Sequence, residues 1–173
     1  VRSVTEVMKA SGADFDPDAY IGAVNGYYTS TDGEMLSLPF NASTPVLWVN
    51  RDAFEAAGVD PDTDLSTWQN VGEVLTQLKD GGSTCPLTTA WQSWIHLENF
   101  SAYHDVPFAT QENGFAGTDT ELSFNGEAQV AHIGAMGEWA QSGKFFYAGR
   151  RNEGGANFRA GECALFTESS AGY

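Results

Sequence analysis

Hydroxyl and amide side chains are concentrated in a short loop enclosed by prolines. Asn41, Ser43 and Thr44 lie between Pro39 and Pro45, directly before an apolar run rich in β-branched residues. The prolines stiffen the backbone on both sides, so the amide and hydroxyl groups can face outward. Such groups can hydrogen-bond to a small polar molecule, and the loop is therefore a candidate ligand-binding segment.

A second group of small polar residues, Ser169-Ser170-Ala171-Gly172, follows another apolar run. Residues of this size let backbone N–H groups approach an anion closely, and the two hydroxyls add donors. The same pattern is also that of an ordinary serine at the start of a helix. The local sequence therefore leaves two interpretations open, a phosphate or hydroxyl contact and a helix cap.

Two tryptophans, Trp91 and Trp94, are spaced to share one face of a predicted helix. Trp91 directly follows a predicted strand, and a flat ring at that place can stack on the carbon skeleton of a polyol. We expect Trp94 to pack in the core instead. Trp91 is therefore the aromatic candidate for ligand contact.

The two cysteines, Cys85 and Cys163, each begin a predicted strand. If those strands are neighbours, the thiols could form a disulfide in an oxidising compartment, or they could stay reduced and buried. No cysteine or histidine cluster has metal-ligand spacing, so we expect no metal and no cofactor. The three histidines, His96, His104 and His132, are expected to be single surface or core residues.

The net charge of the 173 residues restricts the kinds of molecule that the protein is expected to bind. The chain carries 23 acidic and 8 basic residues, a formal net charge of −15. Nucleic acid and anionic membrane surfaces are bound by lysine and arginine clusters, so both are excluded as expected partners. A small anionic ligand remains compatible, because one arginine or one helix N-terminus can bind it.

The elements that must position these residues alternate between strand and helix. Strands are predicted at 46–49, 85–90 and 163–167, with helices at 51–58, 68–79 and 127–142 among them. This alternation predicts an α/β fold, in which ligands bind beyond the carboxyl ends of the strands. Nearer the N-terminus, a hairpin with strands at 27–30 and 35–38 is predicted. A short helix after Pro17 should bury Tyr20, Ile21, Val24 and Tyr27 or Tyr28.

Five stretches occur in an order that resembles the extracellular solute-binding proteins of ABC importers (family 1), and within them the members that bind sn-glycerol-3-phosphate. The stretches are SLPFNASTPVLWVNRDAFEAAGVDP, WQSWIHLENFSA, PFAT with NGFAGTD, YAGR and GECALFTESS. The resemblance implies two α/β lobes that close on a ligand. Residues 1–44 would be the end of the first lobe plus the crossing segment. Residues 45–173 would be a second lobe that is incomplete at its C-terminus, so the chain is a fragment.

The resemblance also assigns ligand-binding positions. Ser43, Trp91 and Ser169 match residues that contact the ligand in the family, and Asn41, Thr44 and Ser170 are additional candidates. Glu168 stands where a small residue is expected, and a carboxylate facing the cleft would repel a phosphate.

The implied function is the substrate-binding component of an ABC importer, not an enzyme, with sn-glycerol-3-phosphate or a glycerophosphodiester as ligand. The implied location is periplasmic or extracytoplasmic, the partners are the importer's permease subunits, and the protein is expected to be a monomer. Export favours the Cys85–Cys163 disulfide. One alternative is a binding protein for a neutral sugar or polyol. Another, of a different class, is a glycerophosphodiesterase-type enzyme.

Overall fold

The computed structural model describes residues 2–172 and contains a sheet with helices around it. Its strands are β1 (Pro45–Val49), β2 (Leu87–Thr89), β3 (Phe145–Phe146) and β4 (Leu165–Ser169), in the order β1-β4-β2-β3. β2 pairs in parallel with both β3 and β4, whereas β1 is antiparallel to β4. The predicted α/β fold class is therefore confirmed.

The described chain also contains eight α-helices, one π-helix and two 3₁₀ turns. The α-helices are α1 (Val4–Ser11), α2 (Gly22–Tyr27), α3 (Arg51–Ala56), α4 (Trp68–Asp80), α5 (Phe100–Tyr103), α6 (Thr110–Asn113), α7 (Glu127–Gln141) and α8 (Gly154–Arg159). A π-helix spans Trp94–Asn99, and 3₁₀ turns span Pro17–Ala19 and Ser170–Gly172. α6 is a single turn in which Gln111, Glu112 and Asn113 all have a left-handed φ. None of the described helices is both long and apolar enough to cross a membrane.

The core lies between the sheet and α4. Thr67 caps the N-terminus of this helix, since its Oγ1 accepts a hydrogen bond from the N–H of Asn70. Its buried residues recur at helical spacing and are Val71, Val74, Leu75 and Leu78. They pack with Phe54 of α3 and Leu165 of β4 in one apolar cluster. Each such side chain contributes roughly 1.5–3 kcal/mol when fully buried, so this cluster fixes the sheet on which the candidate site is built.

The N-terminal part differs from the prediction. The predicted hairpin is reduced to one isolated bridge, Thr29 to Met35, and Tyr27 ends α2 instead of starting a strand. The expected burial of the short helix is also wrong, since Ile21 is 77% exposed and Tyr27 71% exposed. Only Ser3 and Met35 are buried among residues 2–44, so this segment has no core of its own to cover these side chains. The boundary predicted between residues 44 and 45 stays a prediction.

Candidate ligand-binding site

A cavity of about 450 Å³ opens beyond the carboxyl ends of β2 and β4. Its lining consists of Ser43, Trp91, Trp94, Asn152, Glu168, Ser169, Ala171 and Gly172. The parallel register pairs Thr89 with Thr167, so the residues that follow both strands emerge at the same edge. The structure thus brings Ser43, Trp91 and Ser169 together, and their part in binding a ligand stays a prediction.

The crossing loop reaches this edge because β1 runs antiparallel to β4. Pro45 at the start of β1 lies opposite Ser169 at the end of β4. The N–H of Ser170 donates to the carbonyl of Thr44 at 2.8 Å, and the N–H of Thr44 donates to Ser170 Oγ at 3.2 Å. These two bonds hold the loop, and with it Ser43, against the end of β4.

The three additional candidates have other surroundings. Asn41, Thr44 and Ser170 are all exposed and lie outside the lining of the cavity. Thr44 and Ser170 are bonded to each other, so their observed role is to join the loop to the sheet. Any ligand contact by these three residues stays a prediction.

Trp91 is held at the cavity by an unusual backbone. Its φ is +46°, in the left-handed region that bulky residues rarely adopt. Its N–H donates to the carbonyl of Arg151 at 2.8 Å, which fixes this conformation. The side chain remains 39% exposed and is not part of the core. Backbone strain of this kind is most common at binding and catalytic sites, where the surrounding structure maintains it.

The expectation that Trp94 packs in the core is wrong. Trp94 is partly buried and lines the same cavity as Trp91. The helix begins only after Trp91, and Trp94 opens its π-helical segment, so the spacing rule for an α-helical face does not apply. Two indole rings therefore border the cavity.

The backbone N–H groups after β4 are already used within the protein. The N–H of Ser169 donates to Glu168 Oε1 at 2.7 Å, and the N–H of Ala171 donates to Ser169 Oγ at 3.1 Å. The N–H of Ser170 donates to the carbonyl of Thr44. The segment continues as a three-residue 3₁₀ turn, Ser170–Gly172. These three N–H groups are thus engaged within the protein, and any contact between this segment and an anion stays a prediction.

Glu168 places a carboxyl group at the cavity, although it is only 1% exposed. Its Oε1 accepts from Ser169, whereas Oε2 is buried and has no hydrogen-bond partner among the described residues. Burial raises the pKa of Glu168, and the N–H of Ser169 and the charge of Arg159 act in the opposite direction. The resemblance to the family drew attention to Glu168, but the sequence around this residue does not predict that its side chain is buried.

A buried polar network lies directly behind the site. His96 Nε2 is 3.0 Å from Thr89 Oγ1 and 3.1 Å from Thr167 Oγ1, and Thr167 Oγ1 donates to Thr89 Oγ1 at 2.7 Å. His96 Nδ1 is 3.2 Å from Nε2 of His132 in α7. The network joins the ends of β2 and β4 to the π-helix and to α7. The expectation of single, separate histidines is therefore wrong for this pair, whose members lie 36 residues apart.

Burial makes both histidines of this pair poor bases. Desolvation lowers the pKa of His96 to about 3, with a smaller contribution from His132. It lowers the pKa of His132 to about 4, with a smaller contribution from His104. Both rings are therefore neutral near pH 7, and they act there as hydrogen-bonding groups without charge.

The two cysteines lie together at the amino ends of β2 and β4, opposite the end at which the cavity opens. Cys85 Sγ and Cys163 Sγ are bonded at 2.05 Å, and the N–H of Ala164 donates to the carbonyl of Cys85 at 2.9 Å. The strands that they precede, β2 and β4, are the neighbours that the prediction required.

A further cavity, of about 560 Å³, lies between the π-helix and α7. Its lining is almost wholly apolar, with Leu97, Val130 and Ile133 among its residues. A site for a polar ligand needs several hydrogen-bonding groups that converge. Ser43, Glu168 and Ser169 provide them at the carboxyl edge of the sheet, so that edge is the better candidate.

Known proteins resemble the chain both in sequence and in fold. The sn-glycerol-3-phosphate-binding periplasmic protein UgpB of Escherichia coli strain K12 is 45% identical over 171 residues, 98% of this chain and 39% of UgpB. UgpB of Pectobacterium atrosepticum is also 45% identical, over 98% of this chain and 38% of that protein. The chain therefore spans about two fifths of the length of the curated relatives it matches.

Solved structures show the same fold at lower sequence identity. The sugar-binding protein MalE of Xanthomonas citri aligns with a TM-score of 0.68 at 17% identity, covering 98% of this chain and 41% of MalE. An ABC substrate-binding protein of Listeria monocytogenes in complex with cycloalternan aligns with a TM-score of 0.72 at 17% identity, covering 98% and 42%.

Family membership follows from the sequence match. Residues 1–172 match the family described as bacterial extracellular solute-binding protein, which is nearly the whole chain. The location of that family agrees with the extracytoplasmic location predicted from the sequence. The chain belongs to the family of bacterial extracellular solute-binding proteins.

Proposed function

We propose that the complete protein is the substrate-binding component of an ABC importer and that it binds sn-glycerol-3-phosphate or a glycerophosphodiester. The observation that carries this proposal is the convergence of Ser43, Trp91 and Ser169 on one cavity, although they are far apart in sequence. The 45% identity to proteins named for sn-glycerol-3-phosphate binding supports the choice of ligand. The protein would act in the periplasm as a monomer and deliver the ligand to permease subunits.

The lining of the cavity suits the polyol part of such a ligand. Hydroxyl groups at Ser43 and Ser169 can donate to and accept from ligand oxygens. The indole rings of Trp91 and Trp94 offer flat apolar surfaces to the carbon chain. No bond of the ligand needs to break, because a binding component only captures and releases its substrate.

A neutral sugar or polyol is the second candidate, and a specific feature favours it. The cavity contains the carboxyl group of Glu168, and the N–H groups of Ser169, Ser170 and Ala171 are already engaged. These three backbone donors are therefore not available to a phosphate. A ligand rich in hydroxyl groups and without charge would fit such a lining.

Titration calorimetry on the complete protein tests the proposal. We expect saturable binding of sn-glycerol-3-phosphate or glycerophosphocholine and no measurable binding of maltose under the same conditions. Binding of maltose alone would contradict the glycerol phosphate assignment and support the neutral-sugar candidate. Release of free glycerol-3-phosphate from glycerophosphocholine during the titration would contradict a binding protein and support the diesterase alternative.

A further inference from the structure

The peptide unit that precedes Trp91 is held at both of its polar atoms. Its N–H, on Trp91, donates to the carbonyl of Arg151 at 2.8 Å, and its carbonyl, on Ala90, accepts from Thr89 Oγ1 at 3.1 Å. A peptide unit is planar, so its orientation sets the φ of the residue that follows. The two bonds together therefore hold Trp91 at a φ of +46°, which a bulky residue rarely adopts without such support.

The bond from Thr89 to Ala90 fixes the direction of a longer chain of hydrogen bonds. A hydroxyl group has a single proton, so Thr89, once it donates to Ala90, has none left for His96. Thr167 uses its own proton for Thr89, so Nε2 of His96 must be the donor to both hydroxyl oxygens, at 3.0 and 3.1 Å. Nδ1 of His96 is then an acceptor, and its partner at 3.2 Å, Nε2 of His132, must be protonated. The donors thus run in one order, from His132 through His96 and the two threonines to Ala90.

The side chains of this chain of bonds are buried, and they lie behind the cavity instead of lining it. Thr89, Thr167, His96 and His132 are all buried, so bulk water does not compete for their hydrogen bonds. None of these four residues belongs to the lining of the cavity, whereas Trp91 does. An effect of the four residues on ligand binding must accordingly pass through the peptide unit that they hold and through Trp91.

Building on the proposed function, we infer that Thr89 and His96 are positioning residues that act on ligand binding through Trp91. His96 donates to Thr89, which leaves the hydroxyl proton of Thr89 for Ala90, and that bond fixes the peptide unit before Trp91. The indole ring is thereby held at the cavity before a ligand arrives, and an ordered site loses less entropy on binding. Without the hydroxyl group of Thr89, the peptide unit can turn, and the φ of Trp91 can move to the negative region that costs less.

The variant Thr89→Val tests this inference in the complete protein, because valine has nearly the shape of threonine without its hydroxyl group. Calorimetry with sn-glycerol-3-phosphate should show an affinity lowered roughly three- to tenfold, the effect of losing one hydrogen bond. Thr89→Ser retains the hydroxyl group and should restore the affinity to within about twofold of the wild type.

Thr88→Val is the matched control, because Thr88 is a buried residue of the same strand whose hydroxyl group donates to the carbonyl of Phe146. This variant should lower the free energy of unfolding and change affinity less than about twofold. Thr89→Val should therefore differ from Thr88→Val in affinity, although each loses one buried hydrogen bond. Equal losses of affinity in Thr89→Val and either comparison variant, or no loss in Thr89→Val, would overturn the inference.

A double-mutant cycle with Trp91→Ala shows whether Thr89 acts through the indole ring. Residues that act as one unit have effects that do not add. In the Trp91→Ala background no ring remains to be positioned, so Thr89→Val should change affinity less than about twofold. A full loss of affinity from Thr89→Val in that background as well would show that Thr89 acts independently of Trp91 and would contradict the inference.

Nitrogen NMR of the wild type covers the case in which Thr89→Val does not fold. His96 and His132 should both be neutral near pH 7 and protonated at Nε2, as the order of donors requires. Protonation of His96 at Nδ1 instead would reverse the order of donors and refute the inference.

The outcome for the ligand is kept separate from the outcome for these residues. If the wild type binds maltose and not sn-glycerol-3-phosphate, the proposed function fails, and the same variants are compared with maltose. If the wild type binds neither, crystal structures of the wild type and of Thr89→Val without ligand decide. The peptide unit between Ala90 and Trp91 should turn in the variant, and an unchanged left-handed Trp91 would overturn the inference.

Discussion

At the scale of single residues, the site depends on side chains that the backbone holds in exposed positions. Trp91 combines a left-handed backbone with a ring that is 39% exposed, although burial of that ring would stabilise the free protein. Its neighbour Trp94 is partly buried at the same cavity. The left-handed backbone and the exposed ring of Trp91 both cost stability in the absence of a ligand. Both are accounted for if the two indole rings become buried when a ligand binds.

Replacing Trp91 by alanine should weaken ligand binding by roughly 1–3 kcal/mol, the value of burying a large apolar side chain. Calorimetry on the complete protein measures this change. Trp139 is the matched control, because it packs against the core cluster from α7 and lies outside the cavity. Trp139→Ala should lower the free energy of unfolding and leave affinity unchanged. Unchanged affinity in Trp91→Ala would refute the stacking role.

The variant Trp91→Gly separates the effect of the ring on ligand affinity from the effect of the backbone conformation on stability. Glycine adopts a φ of +46° without the steric cost that other residues have. Trp91→Gly should therefore lose affinity as alanine does, yet be about 1 kcal/mol more stable towards urea than Trp91→Ala. Lower stability of the glycine variant would show that the left-handed conformation at this residue is not retained.

At the scale of elements, the histidine network joins four of them behind the cavity. β2 and β4 contribute Thr89 and Thr167, the π-helix contributes His96, and α7 contributes His132. Phe100 stacks on His132 with ring centroids 4.1 Å apart, and Trp68 of α4 contacts both imidazoles. The carboxyl ends of the strands are therefore held in register by groups that are neutral near pH 7.

The network predicts a pH dependence of stability. The ordinary pKa of histidine is 6.5, and burial lowers that of His96 to about 3. Between these values the unfolded chain binds more protons than the folded one, so the free energy of unfolding falls as pH falls. The slope for His96 is up to about 1.4 kcal/mol per pH unit, and its contribution is constant above the unfolded pKa. Urea unfolding at about pH 7.5 and about pH 5 measures the difference.

Glutamine at position 96 provides the comparison for that measurement. It can still bond to Thr89 and Thr167 but does not titrate, so His96→Gln should lose less stability between the two pH values than the wild type. His104→Gln is the control, because His104 is exposed and lies outside the bonds to the two threonines. An equal loss in the wild type and in His96→Gln would exclude His96 as the titrating group.

At the scale of the whole molecule, local patterns predicted the sheet and the edge at which the site lies. α4 has strong helical periodicity, and the parallel pairing of β2 with β4 follows from their alternation with helices. Local patterns did not predict β3, whose two residues are too few for any period. They also missed the bond between His96 and His132 and the burial of Glu168, because each depends on packing between segments distant in sequence.

The disulfide acts on the whole second half of the described chain. Cys85 and Cys163 are 78 residues apart, and a bond between them closes a loop that contains β2, β3 and α7. Closing a loop of this length restricts the unfolded chain and should stabilise the fold by about 2–4 kcal/mol. Mass spectrometry of the unreduced protein should give a mass two hydrogens below that of the dithiol.

Reduction should shift the urea midpoint of the wild type to lower concentration and leave that of Cys85→Ala/Cys163→Ala unchanged. Labelling of both thiols in unreduced, oxidatively folded protein would disprove the bond. The bond lies at the start of β2 and β4, and the cavity lies at their ends. Reduction should therefore change stability far more than ligand affinity, provided that the measurements are made where the reduced protein is still folded.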